Sequence, residues 1–200
     1  MCLLYRHDKP ADELAKWFGA DAGSDPWPGD YVAPGKFAPV VIHGKEGRYL
    51  APRLWGVPPP PRVERPVFNV RNLESPFWIG TLRHTEFRCL VPVTSFMEWG
   101  GGAAGKRMQH WFTLPSAPIF AFAGIWRDSE VPSFAFLTVE PNRLVGAVHG
   151  KSMPLILHAD DYDRWLTADW KDAQKVVAPF PSQLMIADPM PALPGAPSLL

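Results

Sequence analysis

A chain of 200 residues, 46 % of them hydrophobic and nine of them tryptophan, has the material for one domain with a real core, which excludes global disorder. Basic and acidic residues balance at 20 each, so no whole-chain basic field exists and any nucleic-acid partner must be held by a local patch. No apolar run reaches the ~18 residues of a membrane helix, and Arg6 to Lys9 interrupt any signal core, so a cytoplasmic chain without membrane association is expected.

The chain opens "MCLLYRH". A small side chain at position 2 permits removal of Met1, which would make Cys2 the N-terminus, with an α-amine and a thiol in one residue. "DKPADELAKWFG" (8–19) reads as a helix capped by Asp8, with Pro10 in the first turn, Gly19 ending it, and Leu14, Trp17 and Phe18 as its core stripe. A proline- and glycine-punctuated loop follows over 23–35. "KFAPVVIHGKEGRYLAPRLWG" (36–56) reads as a hairpin turning at Gly44 to Gly47. "VPPPPRVERP" (57–66) favours extended polyproline geometry, hence a linker or surface loop.

"FNVRNLES" (68–75) reads as a polar turn after a strand. "RCLVPVTSFMEW", "QHWFTL", "PIFAFAGIW" and "SFAFLTVE" follow as four strand-like runs. "GAVHGKSMPLIL" (146–157) sets His149 and Lys151 in a glycine-flanked turn, and "HADDYDRWLTADW" and "DAQKVVAPF" carry helical spacing. The pattern predicts an α+β fold. It is a single domain over 1–188 built on a strongly curved, mainly antiparallel, barrel-like β-sheet with a few peripheral helices, and 189–200 form a flexible tail. Cys2 and Cys89 make no disulfide framework, and the six histidines lack metal-ligand spacing, so no cofactor is expected.

Four places carry candidate chemistry, each beside a plainer reading. Cys2 is either an ordinary second residue or a nucleophile. An α-amine titrating near ~7.7–8.0 and a thiol near ~8.5 are both partly reactive at neutral pH, and together they can close a thiazolidine ring on an aldehyde. The cluster Asn69, Arg71, Asn72 and Glu74 is either a solvated turn or a phosphate and sugar cradle. Glu98, ending an apolar strand, is either a paired surface carboxylate or a partly buried general acid/base with a raised pKa. His149 is either a satisfied structural histidine or a titrating group in an exposed turn.

The order of these features resembles the SRAP family of abasic-site-processing proteins, named for association with the SOS response. The residues that carry the resemblance are Met1-Cys2, "YVAPG" (31–35), "LWGVPPPP" (54–61), "NVRN" (69–72), "RCLVPVTSFMEW" (88–99), "FAFAGIW" (120–126), "FLTVEPN" (136–142) and "HGKSMPLIL" (149–157). The resemblance implies a protein that captures abasic sites in single-stranded DNA as a thiazolidine crosslink during the DNA damage response, acting as a monomer, cytoplasmic and nucleoid-associated when bound. It also implies lyase activity and a peptidase activity limited to the protein's own N-terminus.

Cys2 would be the nucleophile and imine-forming amine, Asn69 would position it or the sugar, Glu98 would shuttle protons, and His149 would assist ring opening. Arg71 would hold a phosphate, with Lys151, Trp78 and Arg6 as further DNA contacts. Leu3 and Leu4 stand where many members carry Gly-Arg, which leaves Arg6 as the nearby basic residue, and Phe77 and Trp78 offer aromatics for base stacking. Two other classes stand beside this one. A cysteine hydrolase would use Cys2 and His149. A non-covalent nucleic-acid-binding module would use Arg62, Arg65, Arg71, Arg83, Arg88 and Lys151.

Overall fold

The apolar runs become strands because β-branched and aromatic side chains pack on pleated surfaces. The computed structural model describes residues 2–101 and 105–190; most of the predicted tail lies outside the described residues. In chain order the strands and helices begin with β1 (Tyr5–His7), α1 (Ala11–Phe18), β2 (Ala20–Asp21), β3 (Asp30–Val32), β4 (Phe37–Gly44), β5 (Gly47–Trp55) and β6 (Asn69–Val70). They continue with α2 (Pro76–Arg83), β7 (Arg88–Val93), β8 (Ser95–Gly101), β9 (Arg107–Thr113), β10 (Phe120–Arg127) and β11 (Ser133–Val139). The last are α3 (Arg143–Gly146), β12 (Met153–Pro154), β13 (Ile156–Leu157), α4 (Tyr162–Thr167), α5 (Trp170–Ala173) and β14 (Ile186–Asp188).

Two sheets organise the described residues. The larger runs β12-β11-β10-β7-β4-β5-β2, and β11 also pairs with β5 in parallel, Ser133 opposite Leu54 and Phe134 opposite Trp55. That contact brings the path β5, β4, β7, β10, β11 back on itself, so the sheet is ring-like, as the predicted curvature requires. The smaller sheet is antiparallel throughout in the order β14-β9-β8-β1-β3. Tyr5, Trp55, Phe122 and Phe136 fill the ring, with Tyr5 and Trp55 centroids 5.4 Å apart and Phe122 and Phe136 4.9 Å apart. Phe96 and Phe112 stack at 5.0 Å on the inner face of the smaller sheet, and Phe96 meets Phe122 at 5.7 Å, which joins the two layers.

The hairpin of β4 and β5 forms as predicted, turned at Gly47 with a φ of 120° that a side chain would resist. Helix α1 forms too, but with two corrections. Pro10 rather than Asp8 occupies the cap position, and no side chain caps the helix there. Trp17 is 49 % exposed, because its place lies off the face that buries Leu14 and Phe18. Gly19 ends the helix in the left-handed region as expected.

Helix α2 was not predicted. Ser75 Oγ accepts from the Phe77 amide at 3.3 Å and Pro76 sits in the first turn, a start signal hidden in a stretch read as a polar turn. The run 88–99 is two strands, not one, and the helical spacing over 172–180 yields only the end of α5 and a 3-10 turn. Buried Arg88 anchors α4 to β7 by donating to the carbonyls of Trp165 and Ala168 at 2.7 and 2.6 Å. Among the described residues, no helix is long and apolar enough to cross a membrane.

Candidate active site

Strand β1 carries the N-terminal segment into the smaller sheet, between β8 and β3. Tyr5 pairs with Val32 on one side and Phe96 on the other, and the Met97 amide donates to the Leu4 carbonyl at 3.0 Å. This holds Cys2 in the interior, 1 % exposed, with its Sγ 3.5 Å from the Leu4 carbonyl. Burial, with the nearby Glu98 carboxylate second, pushes the Cys2 thiol well above its ordinary pKa, so it is a protonated thiol at neutral pH.

Asn69 comes from β6, held in parallel register on β11 opposite Phe136. Its Nδ2 donates to the Cys2 carbonyl at 3.5 Å, so it touches the residue that the resemblance expects it to position. Glu98 lies on β8, 4 % exposed, and burial raises its carboxyl to about 7. A carboxyl that is half protonated near neutrality can give and take protons, which is what a general acid/base must do. His149 follows α3, whose start is capped by Asn142 Oδ1 accepting from the Val145 amide at 2.9 Å. The His149 amide donates to the Val145 carbonyl at 2.7 Å, and its Nδ1 stands 3.9 Å from Glu98 Oε2. Burial lowers the imidazole pKa, with Lys151 among the lesser causes.

A groove of about 350 Å³ opens here, lined among others by Leu3, Leu4, Glu98, Trp99, Arg107 and His149. The Arg107 guanidinium lies over the Trp99 ring at 5.0 Å. A larger cavity of about 540 Å³ beside Asp21, Lys45, Glu46 and Arg48 holds none of these groups, so chemistry rather than volume selects the smaller groove.

The structure thus gathers Cys2, Asn69, Glu98 and His149. The predicted DNA contacts are treated less evenly. Arg71 is ion-paired with Glu140 and donates to the Val139 carbonyl at 2.8 Å, so a phosphate would compete with an existing partner. Arg6 is exposed, lies over the Tyr31 ring at 5.4 Å and pairs with Asp8 at 3.7 Å, while Lys151 is exposed in its turn. Trp78 is a correction. It is 4 % exposed, packed against Phe77 at 4.4 Å and under the Arg127 guanidinium at 5.0 Å, so it has no open face on which a base could stack. The exposed aromatic at the groove is Trp99, whose position next to Glu98 was the available signal. Arg107 reaches the groove through the register of β8 and β9, which no local pattern reveals.

The family model described as SOS response associated peptidase (SRAP) matches residues 1–193. The abasic site processing protein YoqW of Bacillus subtilis (strain 168) is 26 % identical over 216 residues, covering 98 % of this chain and 95 % of that protein. The abasic site processing protein YobE of the same organism is 26 % identical over 219 residues, covering 100 % of this chain and 99 % of its own length. A crystal structure of a protein from Bordetella bronchiseptica superposes with a TM-score of 0.77 at 21 % identity, over 93 % of this chain and 98 % of that one, which shows a shared fold.

Proposed function

This chain belongs to the SOS response associated peptidase (SRAP) family, and we propose that it captures the ring-opened aldehyde of an abasic site in single-stranded DNA as a covalent crosslink through Cys2. The observation that carries the reading is the meeting of the raised carboxyl of Glu98 and His149 at one groove, with Cys2 buried beside Glu98 and Asn69 on the Cys2 carbonyl. The relatives named for abasic-site processing support the choice of substrate.

The chemistry follows from the protonation states. Removal of Met1 frees the Cys2 α-amine, a hydrolysis confined to the protein's own terminus that accounts for the peptidase in the family description. The abasic sugar is mostly a closed hemiacetal, and His149, held neutral by burial, takes the C1 hydroxyl proton and returns it to the ring oxygen as the C1–O bond breaks. The amine nitrogen adds to the aldehyde carbon, and Glu98 in its acid form protonates the departing hydroxyl as water to leave an imine. The thiol sulfur then adds to the imine carbon. Its proton passes through Glu98 to the nitrogen, closing a five-membered thiazolidine with net loss of one water. Because burial keeps the thiol protonated, a proton acceptor beside it is required, and a carboxylate titrating near 7 is matched to that task. Closure also consumes the imine from which strand cleavage by elimination would proceed. Arg6, Lys151 and Arg71, released from Glu140, would hold flanking phosphates. The same burial disfavours a turnover cysteine hydrolase, which needs a ready thiolate.

Intact-protein mass after incubation with a single-stranded oligonucleotide bearing one abasic site tests the reading. The expected species is protein minus methionine plus DNA minus one water, stable to acid and resistant to borohydride. Absence of any adduct when Met1 is confirmed removed overturns it.

A further inference from the structure

We propose that His110 is a positioning residue that holds Glu98 and His149 in register and ties that register to the C-terminal strand β14. The proposal deepens the functional reading above and rests on Glu98 and His149 being its acid–base pair. His110 lies on β9 directly opposite Glu98 on β8, so the two side chains share the inner face of the sheet, next to the stacked pair Phe96 and Phe112. It is only 4 % exposed, and nothing in the reaction as written uses it.

Both ends of the imidazole are engaged. Nδ1 stands 2.7 Å from the carbonyl oxygen of Pro189. A carbonyl only accepts, so the proton resides on Nδ1. Pro189 directly follows β14, which pairs with β9 through Asp188 opposite Trp111, so the sheet edge sets the carbonyl's place. The other edge of the ring lies against Gly100, two residues beyond Glu98 on the same face. A Cβ built on Gly100 would come within 2.9 Å of His110 Cδ2 and Nε2 and 3.0 Å of Val148 Cγ1. Val148 immediately precedes His149. One ring edge therefore packs at the point where the strand bearing Glu98 meets the turn bearing His149, and its far edge is pinned by β14.

Removing the ring would open a space between these two elements and admit water. Glu98 is faced by Cys2 from the N-terminal segment, His149 from the turn, His110 from β9 and Arg107 at the groove rim, while Lys151 bears on His149. With the site hydrated, both ionisations relax toward their ordinary values, Glu98 downward and His149 upward.

The experiment reads those ionisations directly. Carbon-detected NMR titrations of the Glu98 carboxyl and the His149 ring are recorded on DNA-free wild-type protein and the His110→Ala, His110→Asn and Gly100→Ala variants. Single-turnover crosslinking is then followed against pH. His110→Ala and Gly100→Ala should move both midpoints by about half a unit or more, and shift the acid limb of the rate profile with His149 and its alkaline limb with Glu98, at unchanged affinity for intact single strands. His110→Asn, whose amide can still donate to Pro189, should fall closer to wild type. Folded His110→Ala and Gly100→Ala proteins with wild-type midpoints would overturn the proposal. So would nitrogen shifts placing the wild-type His110 proton on Nε2, a test that needs no variant to fold. Shifted midpoints in a protein that forms no adduct would support the positioning role and sink the crosslinking reading instead.

Discussion

The ring and the smaller sheet bury polar side chains on different terms. At the ring, Arg88 directs two guanidinium nitrogens at the carbonyls of α4, and Trp165 donates to the carbonyls of Cys89 and Gly124 at 3.0 and 3.2 Å. These groups are bound to backbone of the ring's strands and of the end of α4, and they tie the helix to the sheet. In the smaller sheet, His7 is fully buried against Trp27 at 5.7 Å, with neither ring nitrogen hydrogen-bonded among the described residues. Glu98 is buried beside an open groove with its carboxyl raised to about 7. Buried polar groups satisfied by backbone occupy one layer, and titratable groups kept away from their ordinary charge states occupy the other.

The sharpest way to break this division is Glu98→Gln. It should slow crosslinking roughly 100- to 10,000-fold, measured in single turnover. It should also stabilise the fold at alkaline pH. The folded protein holds the Glu98 proton up to about 7, whereas an unfolded chain releases it near 4.5, so wild-type stability falls across that window as pH rises. Denaturation at pH 8 should therefore favour the variant, and a less stable variant would place Glu98 in the scaffold.

Phe122→Ala probes the other layer. Phe122 is fully buried among Tyr5, Phe96, Phe120 and Phe136, so truncation should remove roughly 3–5 kcal/mol in denaturant titrations. The rate per folded molecule should stay within a few-fold of wild type. A change in its pH profile would show that the layers are not separable.

The smallest effect belongs to His7→Leu. Burial lowers His7 from 6.5 to about 4, so the unfolded state binds its proton first and stability is lost as pH falls through that interval, by up to roughly 3 kcal/mol. The variant should keep a flatter stability profile between pH 6.5 and 4, read from thermal unfolding. An unchanged acid slope would mean that His7 contributes nothing to it.

Much of the larger sheet was legible because its hairpin and its buried strands carry unbroken apolar runs bounded by glycine and proline. Helix α2 was not, since eight residues with Phe77, Trp78 and a glycine look like a loop until Trp78 and Leu82 are seen to find the core. Trp17 and Trp78 were mistaken in opposite directions for one reason: an aromatic on a short helix faces inward or outward according to what packs on it, and spacing alone does not say what that is. That Cys2, Asn69, Glu98 and His149 lie together was readable from the order of the motifs that carry the family resemblance. Arg107 and His110 were not, because they meet the site only through the pairing of β8 with β9, which is a property of the folded sheet.

The place of β1 between β3 and β8 has a consequence for biosynthesis. Its partners are β3, which follows soon after, and β8, which begins at Ser95. A ribosome adding ~5–20 residues per second needs on the order of ten seconds to release β8, and until then the strand cannot close over Cys2. An aminopeptidase acting on the nascent chain has that interval to remove Met1. Once β8 has emerged and paired, Cys2 is buried, so trimming is expected to precede that closure.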